Sequence, residues 1–418
     1  MFIAYFTEQP DSSYPKQVGD DLGYTALLFP NKHFNAPAVA DLYQQRLEEY
    51  LFVEEMGFDG IMLNEHHNAP FCLQPKCNIF AAVLAGMTKR VKLVLLGNPL
   101  PVSDNPVRIA EEIAEIDLIS RGRVVSGFIR GGGTEQLSTN ANPAYNRERF
   151  VEAHDLIIKT WTEPGPWRWE GQHYQLRVVN PWMLPLQKPH PRVWIPGVAS
   201  RETVQFAAEH RYPFVALNTT MDATMRVWQT YEETARRVGY EVGPENRGYQ
   251  IRVHVQDTQA KALECAREYL WMQGEFVGVT HPVWHSPAGY VSPRLRQAFV
   301  EVVNGRRPNV ANLAGTSVES MVATDQLIAG TPDQVIKRLR HILETARPGI
   351  LHLWGSDGNI SHKDTLRCIE LLGQEVLPAL REIGKDLGLN SPFDVDAPVS
   401  LAHTPQEHRQ PLAAVGGD

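Results

Sequence analysis

The run Gly57-Phe-Asp-Gly-Ile-Met-Leu-Asn-Glu-His-His67 sets a carboxyl group and two imidazoles at the end of a short apolar stretch. An imidazole titrates near neutrality, so Glu65, His66 and His67 are candidates for acid–base work. If the apolar stretch is a strand, neighbouring side chains point to opposite faces, only one histidine faces a site, and a metal-binding pair is not expected. A hydrogen-bonded structural histidine is the alternative reading. Two other segments suit an anionic ligand. Arg130 stands beside Gly131-Gly-Gly133; a guanidinium forks onto phosphate, and glycine lets backbone approach closely. In Val193-Trp-Ile-Pro-Gly197-Val-Ala-Ser200-Arg-Glu-Thr203 a strand turns into a helix whose start offers hydroxyls and free N–H groups, although Ser200 also reads as a simple N-cap. Glu202 would repel a phosphate held there, and the sequence alone supplies no compensation. Gly330-Thr-Pro-Asp-Gln334 reads as a capping box with a structural role.

These residues need a scaffold that brings distant segments to one rim. Eight short β-rich runs alternate with helical-period segments: Phe2 to Tyr5, Gly60 to Leu63, Val91 to Leu96, Val124 to Phe128, Val193 to Ile195, Phe214 to Leu217, Ile251 to Val255 and Ile350 to Leu353. Leu42, Leu47, Leu51 and Met56 form one apolar helical stripe, and Ile109, Ile113, Ile116 and Ile119 another. Alternation of this kind predicts an α/β fold with a parallel sheet, here a (β/α)8 TIM barrel with active groups at the C-terminal ends of its strands. An open dinucleotide-binding sheet is the runner-up, but the first run is followed by Glu8-Gln9-Pro10 rather than a glycine fingerprint. The barrel domain is expected over residues 1–388, with its largest insertion, a lid at about 274–323, between strands seven and eight. A smaller interruption spans Gly131 to Pro189, and the tail 389–418 is expected to be extended or flexible.

The composition excludes several classes. Hydrophobic residues make up 43% and charged residues 21% of the 418, ample for a core. The net charge of −8 and the absence of a basic run argue against nucleic acid as a partner. Four dispersed cysteines fit a reducing compartment. The N-terminus lacks the charged start of a signal peptide, and no apolar stretch reaches the ~20 residues that span a bilayer, so a cytoplasmic protein without membrane contact is expected.

Taken in order, Glu65-His66-His67, Pro106-Val107-Arg108, Ser120-Arg121-Gly122-Arg123, Arg130-Gly131 and Ser200 to Thr203 resemble the bacterial luciferase-like flavin-dependent monooxygenase family. The likeness continues through Tyr231 to Tyr240 and Gly330-Thr-Pro332 to Leu377-Pro-Ala-Leu-Arg381, covering roughly residues 1 to 385. It implies a barrel that takes reduced FMN from a separate flavin reductase, forms a flavin C4a-peroxide with O2, and oxygenates a small organic substrate. Carried over by position, Arg130, Ser200 and Thr203 would hold the FMN phosphate at the strand end marked by Gly197. A second phosphate-binding arginine falls on Arg147 or Arg149, with Arg147 preferred. His66, with Glu65 beside it, would face the flavin as acid or base, and the strand end at Gly97-Asn98-Pro99 would approach the isoalloxazine. Trp271, Phe276, Trp284, His285 and Tyr290 are candidates for an apolar cover. The resemblance also implies a homo-oligomer. Substrate and choice among hydroxylation, Baeyer–Villiger insertion and aldehyde oxidation stay open. The alternatives are hydride transfer with the deazaflavin F420 on the same fold, and a non-catalytic, flavin-binding subunit-like protein.

Overall fold

Eight parallel strands close on themselves. In the computed structural model, which describes residues 1–15, 17, 18, 21, 27, 29–272, 286–304 and 317–395, they are β1 (Phe2–Thr7), β2 (Gly60–Leu63), β3 (Lys92–Pro99), β4 (Val124–Ile129), β7 (Arg192–Gly197), β8 (Phe214–Leu217), β9 (Arg247–Val255) and β11 (Ile350–Ser356). Each pairs in parallel with the next, β8 pairs with β9, and β11 returns to β1, so no edge is left open. Seven of the eight β-rich runs lie within one of these strands, and the run Val91 to Leu96 begins one residue before β3. Several strands are longer than their apolar runs suggest; among them β3 continues through Gly97-Asn98-Pro99, and β9 starts at Arg247. Its opening residues, Arg247-Gly-Tyr-Gln250, are too polar to stand out, yet they are paired on both sides, with β8 and β11.

Both strand faces are buried. Phe2, Ala4, Phe6, Met62, Val94, Leu96, Val125, Trp194, Val215 and Trp354 fill the interior, while Ile3, Tyr5, Ile61, Leu63, Leu93 and Leu95 pack outward against helices. Two-sided burial is why the strands read as unbroken apolar runs. At the β3–β4 contact the backbones are so close that a Cβ on Gly127 would lie 2.1 Å from the Leu95 carbonyl oxygen, so only glycine fits.

Two additions were not legible. An antiparallel hairpin, β5 (Trp167–Glu170) with β6 (Gln175–Val179), sits in the Gly131 to Pro189 interruption, and the short β10 (Leu327–Gly330) joins the C-terminal half of β9. The helical stripes also need correction. The helix Ala36–Glu55 buries Val39, Arg46, Glu49, Tyr50 and Val53, while Leu47 and Leu51 are only half-buried. The Arg46–Glu49 ion pair takes the inner face, and His362 reaches Glu49 from the neighbouring helix at 2.8 Å. In the helix Pro106–Ser120, Ile109, Ile113 and Ile116 are buried, but Ile119 is exposed. Residues 389–395 turn beneath the barrel, where the Phe393 ring meets Phe2 at 5.3 Å and Trp194 at 6.1 Å.

Candidate active site at the barrel mouth

Strand β2 ends at Leu63, so Asn64 to His67 already lie in a loop beyond the C-terminal rim. The alternation rule for strands therefore does not separate the two histidines. Both converge on one carboxylate. His66 Nδ1 lies 3.2 Å from Glu135 Oε1, and His67 Nδ1 hydrogen-bonds Glu135 Oε2 while its backbone N–H donates to Oε1 at 3.3 Å. Glu135 stands in the first turn of a short helix, Gly133–Ser138, and is almost fully buried. Burial disfavours its charge, but the bonds from His66 and His67 and their positive charge prevail and push its pKa down to about 2. Burial likewise opposes a charged His66, yet the bond to Glu135 and the fields of Glu8, Glu135 and Glu65 raise its pKa. His67 is raised chiefly by its bond to Glu135.

Glu65 finds its partners elsewhere than at His66. Its Oε2 accepts the Cys77 N–H at 3.2 Å, capping the helix Cys77–Met87, with Lys76 at 3.6 Å and His67 at 3.7 Å from its carboxylate. Burial raises its pKa. Glu8, at the end of β1, accepts a hydrogen bond from Asn64 and approaches His66 Nε2 at 3.8 Å. Glu8 and Glu135 are site residues that sequence reasoning missed; Glu135 is joined to its histidines only by the tertiary fold. Deeper in, Arg252 is buried, lies over the Trp354 ring at 4.7 Å, and pairs with the Asn218 amide. Desolvation pushes its pKa down to about 10.

Across the mouth, the ends of β4 and β7 carry a second cluster. Arg130 donates to Asn146 Oδ1 at 3.3 Å and lies over Tyr290 at 5.6 Å, and the Tyr290 hydroxyl donates to the Gly131 carbonyl at 2.7 Å. Burial lowers the Arg130 pKa, and the positive charge of Arg147 adds to this. Arg147 pairs with Glu202 at 3.1 Å, and Ser200 Oγ donates to the same Glu202 oxygen at 3.0 Å. Ser200 and Thr203 open the helix Arg201–Glu209, and the Ser200 hydroxyl caps no N–H of that helix. The apparent conflict at Glu202 is thus met by Arg147. Arg149 points elsewhere, donating to the carbonyls of Pro101 at 2.7 Å and Ser103 at 3.0 Å. Gly197 ends β7 against Phe214, opposite Thr203.

Asn98 lies between the two clusters, fully buried at the end of β3, and neither amide atom has a hydrogen-bond partner among the described residues. Such a group costs about 1–3 kcal/mol unless something satisfies it. Next to His66 opens a cavity of about 590 Å3 walled by the loops after β1 and β2. Of the proposed cover residues, Tyr290 reaches the site; Phe276, Trp284 and His285 lie outside the described residues, as does the Trp271 side chain.

The model of the luciferase-like monooxygenase family matches residues 25–347, and the chain belongs to that family. It is 27% identical over 220 residues to the alkanal monooxygenase alpha chain of Photorhabdus luminescens, covering 52% of this chain and 60% of that one. To the alkanal monooxygenase alpha chain of Photobacterium leiognathi it is 23% identical over 358 residues, covering 84% and 98%. The fold matches the FMN complex of the oxygenating constituent of 3,6-diketocamphane monooxygenase from Pseudomonas putida, with a TM-score of 0.64 at 19% identity, covering 80% and 93%. Among the described residues, no helix is long and apolar enough to cross a membrane.

Proposed function

We propose that this protein is a monooxygenase that binds reduced FMN, delivered by a separate reductase, and uses O2 to oxygenate a small organic molecule. The observation that carries this reading is Arg130, a half-buried guanidinium with no carboxylate in ion-pair reach among the described residues, at the same rim as an open helix start. The residues fit the group. A dianionic phosphate would take charge-assisted bonds from Arg130 and Arg147 and N–H and hydroxyl donors from Ser200 and Thr203. The unpartnered Asn98 amide offers a donor and an acceptor to the heterocycle, as flavin pyrimidine edges require. Bound there, reduced FMN would supply the two electrons that let one atom of O2 enter the substrate and the other leave as water.

The chain's own part is proton control and water exclusion. His66, its pKa raised by its carboxylate neighbours against the effect of burial, presents Nε2 for proton transfer while Glu135 fixes Nδ1. Glu65 acts through His67 and the helix Cys77–Met87 as a positioning residue. The named relatives support oxygenation, and "oxygenating constituent" supports a separate electron source.

Anaerobic titration with reduced FMN, followed by mixing with O2, tests the reading. Tight binding and O2 consumption dependent on an organic substrate are expected. Arg130→Ala should weaken FMN binding by about tenfold or more, the loss of one charge-assisted contact; unchanged binding overturns the phosphate assignment. Binding of reduced F420 instead, with turnover that ignores O2, would replace the proposal with hydride transfer. His66→Ala should bind flavin and oxygenate poorly.

A further inference from the structure

The cavity beside His66 carries information about what enters it. Its volume, about 590 Å3, falls in the range of small-molecule sites. Phe29, Phe34, Tyr43 and Leu73 supply much of its wall. Among the described lining residues the side chains that can carry charge near neutrality are Asp11 and His66, and there is no lysine or arginine.

Two polar groups in this wall lack a partner. Asp11 is 2% exposed; its Oδ1 accepts from Ser13 N at 3.0 Å and from Ser13 Oγ at 2.5 Å, but Oδ2 makes no hydrogen bond among the described residues. The Tyr14 hydroxyl, also buried, has no partner among the described residues, and its ring is held edge-on against Phe29 at 5.1 Å. Asp11 lines the cavity, and a carboxylate oxygen left without a donor in a largely apolar wall is satisfied best by a cation. Aromatic faces around it attract the same charge. An anionic substrate would instead meet the Asp11 carboxyl with no lysine or arginine among the described lining residues to receive it, and His66 already spends Nδ1 on Glu135.

We propose that the substrate is an apolar amine with an aromatic or alicyclic body, its ammonium group on Asp11 Oδ2 and Tyr14 and its body along the aromatic wall toward His66. This rests on the monooxygenase reading only in taking His66 as the reacting side of the cavity.

Calorimetric titration of the full chain with phenylbutylamine, phenylbutanol and phenylbutanoate tests the idea without flavin, since the three share one body and differ at the head. The amine should bind about tenfold or more tighter than the carboxylate, with the alcohol between them, and Asp11→Asn should lower amine affinity by a similar factor while changing the alcohol little. Tyr14→Phe, which deletes only a hydroxyl, should weaken the amine more modestly and guards against misfolding at Asp11. Equal affinity for amine and carboxylate, an amine indifferent to Asp11→Asn, or no binding of any of the three overturns the proposal. If the amine series behaves as expected while reduced FMN fails to bind, the cofactor reading falls and the pocket assignment stands. If FMN binds and the series fails, only the substrate class is lost.

Discussion

Glu135 is the residue on which the acid–base state of the mouth depends. One carboxylate holds two imidazoles, so its own charge is stabilised by theirs and theirs by its own. Replacing Glu135 with Gln keeps the shape and removes the charge. The pKa values of His66 and His67 should then both fall, as read from imidazole proton shifts in an NMR titration; unaltered titration of His66 would show that Glu135 is not its controlling neighbour. The same linkage has a consequence for stability. Glu135 is depressed from the ordinary glutamate value to about 2, so its contribution is present above that ordinary value and is lost as pH falls toward 2. The raised histidines act in the other direction: their contribution is full below the ordinary imidazole pKa and is lost as pH rises through their folded values. Urea midpoints of the wild type should therefore decline on both sides of a plateau, and Glu135→Gln should flatten both declines.

At the scale of elements, the mouth is held by loops and helix ends that are themselves clamped. Arg123, just after the left-handed pair Arg121 and Gly122, sends its guanidinium under the helix Cys77–Met87. It donates to the carbonyls of Ser120, Val91, Ala85 and Thr88 and to the Thr88 hydroxyl, all within 3.0 Å. This ties the helix that Glu65 caps to the start of β4. Arg123→Leu would strand these acceptors, and a loss of about 3 kcal/mol in unfolding free energy is expected from urea titration; a change under about 0.5 kcal/mol would mean that water replaces the clamp. In the sequence Arg123 stood out only as part of a motif, because a role made of five tertiary bonds leaves no local pattern. The barrel strands were legible for the opposite reason, since burial on both faces writes itself as apolar runs. The buried face of Ala36–Glu55 was misread because its stripe of leucines is more apolar than the Arg46–Glu49 pair that displaces it. At the site, the separation of Arg147 from Arg149 needed side-chain direction: two residues apart on a helix they point about 200° from each other, one toward Glu202 and one toward Pro101 and Ser103.

At the scale of the whole molecule the barrel is closed at one end and open at the other. The mouth carries carboxylates, histidines, arginines and an unpartnered amide, whereas the floor is sealed by chain that returns after the last helix. There Phe393 lies against Phe2 and Trp194 and under the cationic ends of Lys92 and Arg192, each 5.1 Å from its centroid. Asp394 takes the Ser391 N–H at 2.8 Å and the Met1 ammonium at 3.3 Å, which ties the returning chain to the residue before β1. Lys92 shows what the plug does electrostatically. Its pKa is lowered, first by burial and then by the charges of Arg192 and Arg123, so the ring face is a favourable neighbour for a cation otherwise crowded by its own kind. Phe393→Ala should remove about 3 kcal/mol of stability, the usual cost of deleting a packed phenyl ring, and open the lower interior to water. Because the floor and the mouth are separated by the packed interior around Met62, Val94 and Val125, reduced-FMN affinity should stay within about twofold of wild type, well under 1 kcal/mol. Thermal unfolding and flavin titration on the same variant check both halves; a large loss of flavin affinity with little loss of stability would show that the floor and the mouth are coupled through the barrel rather than insulated by it.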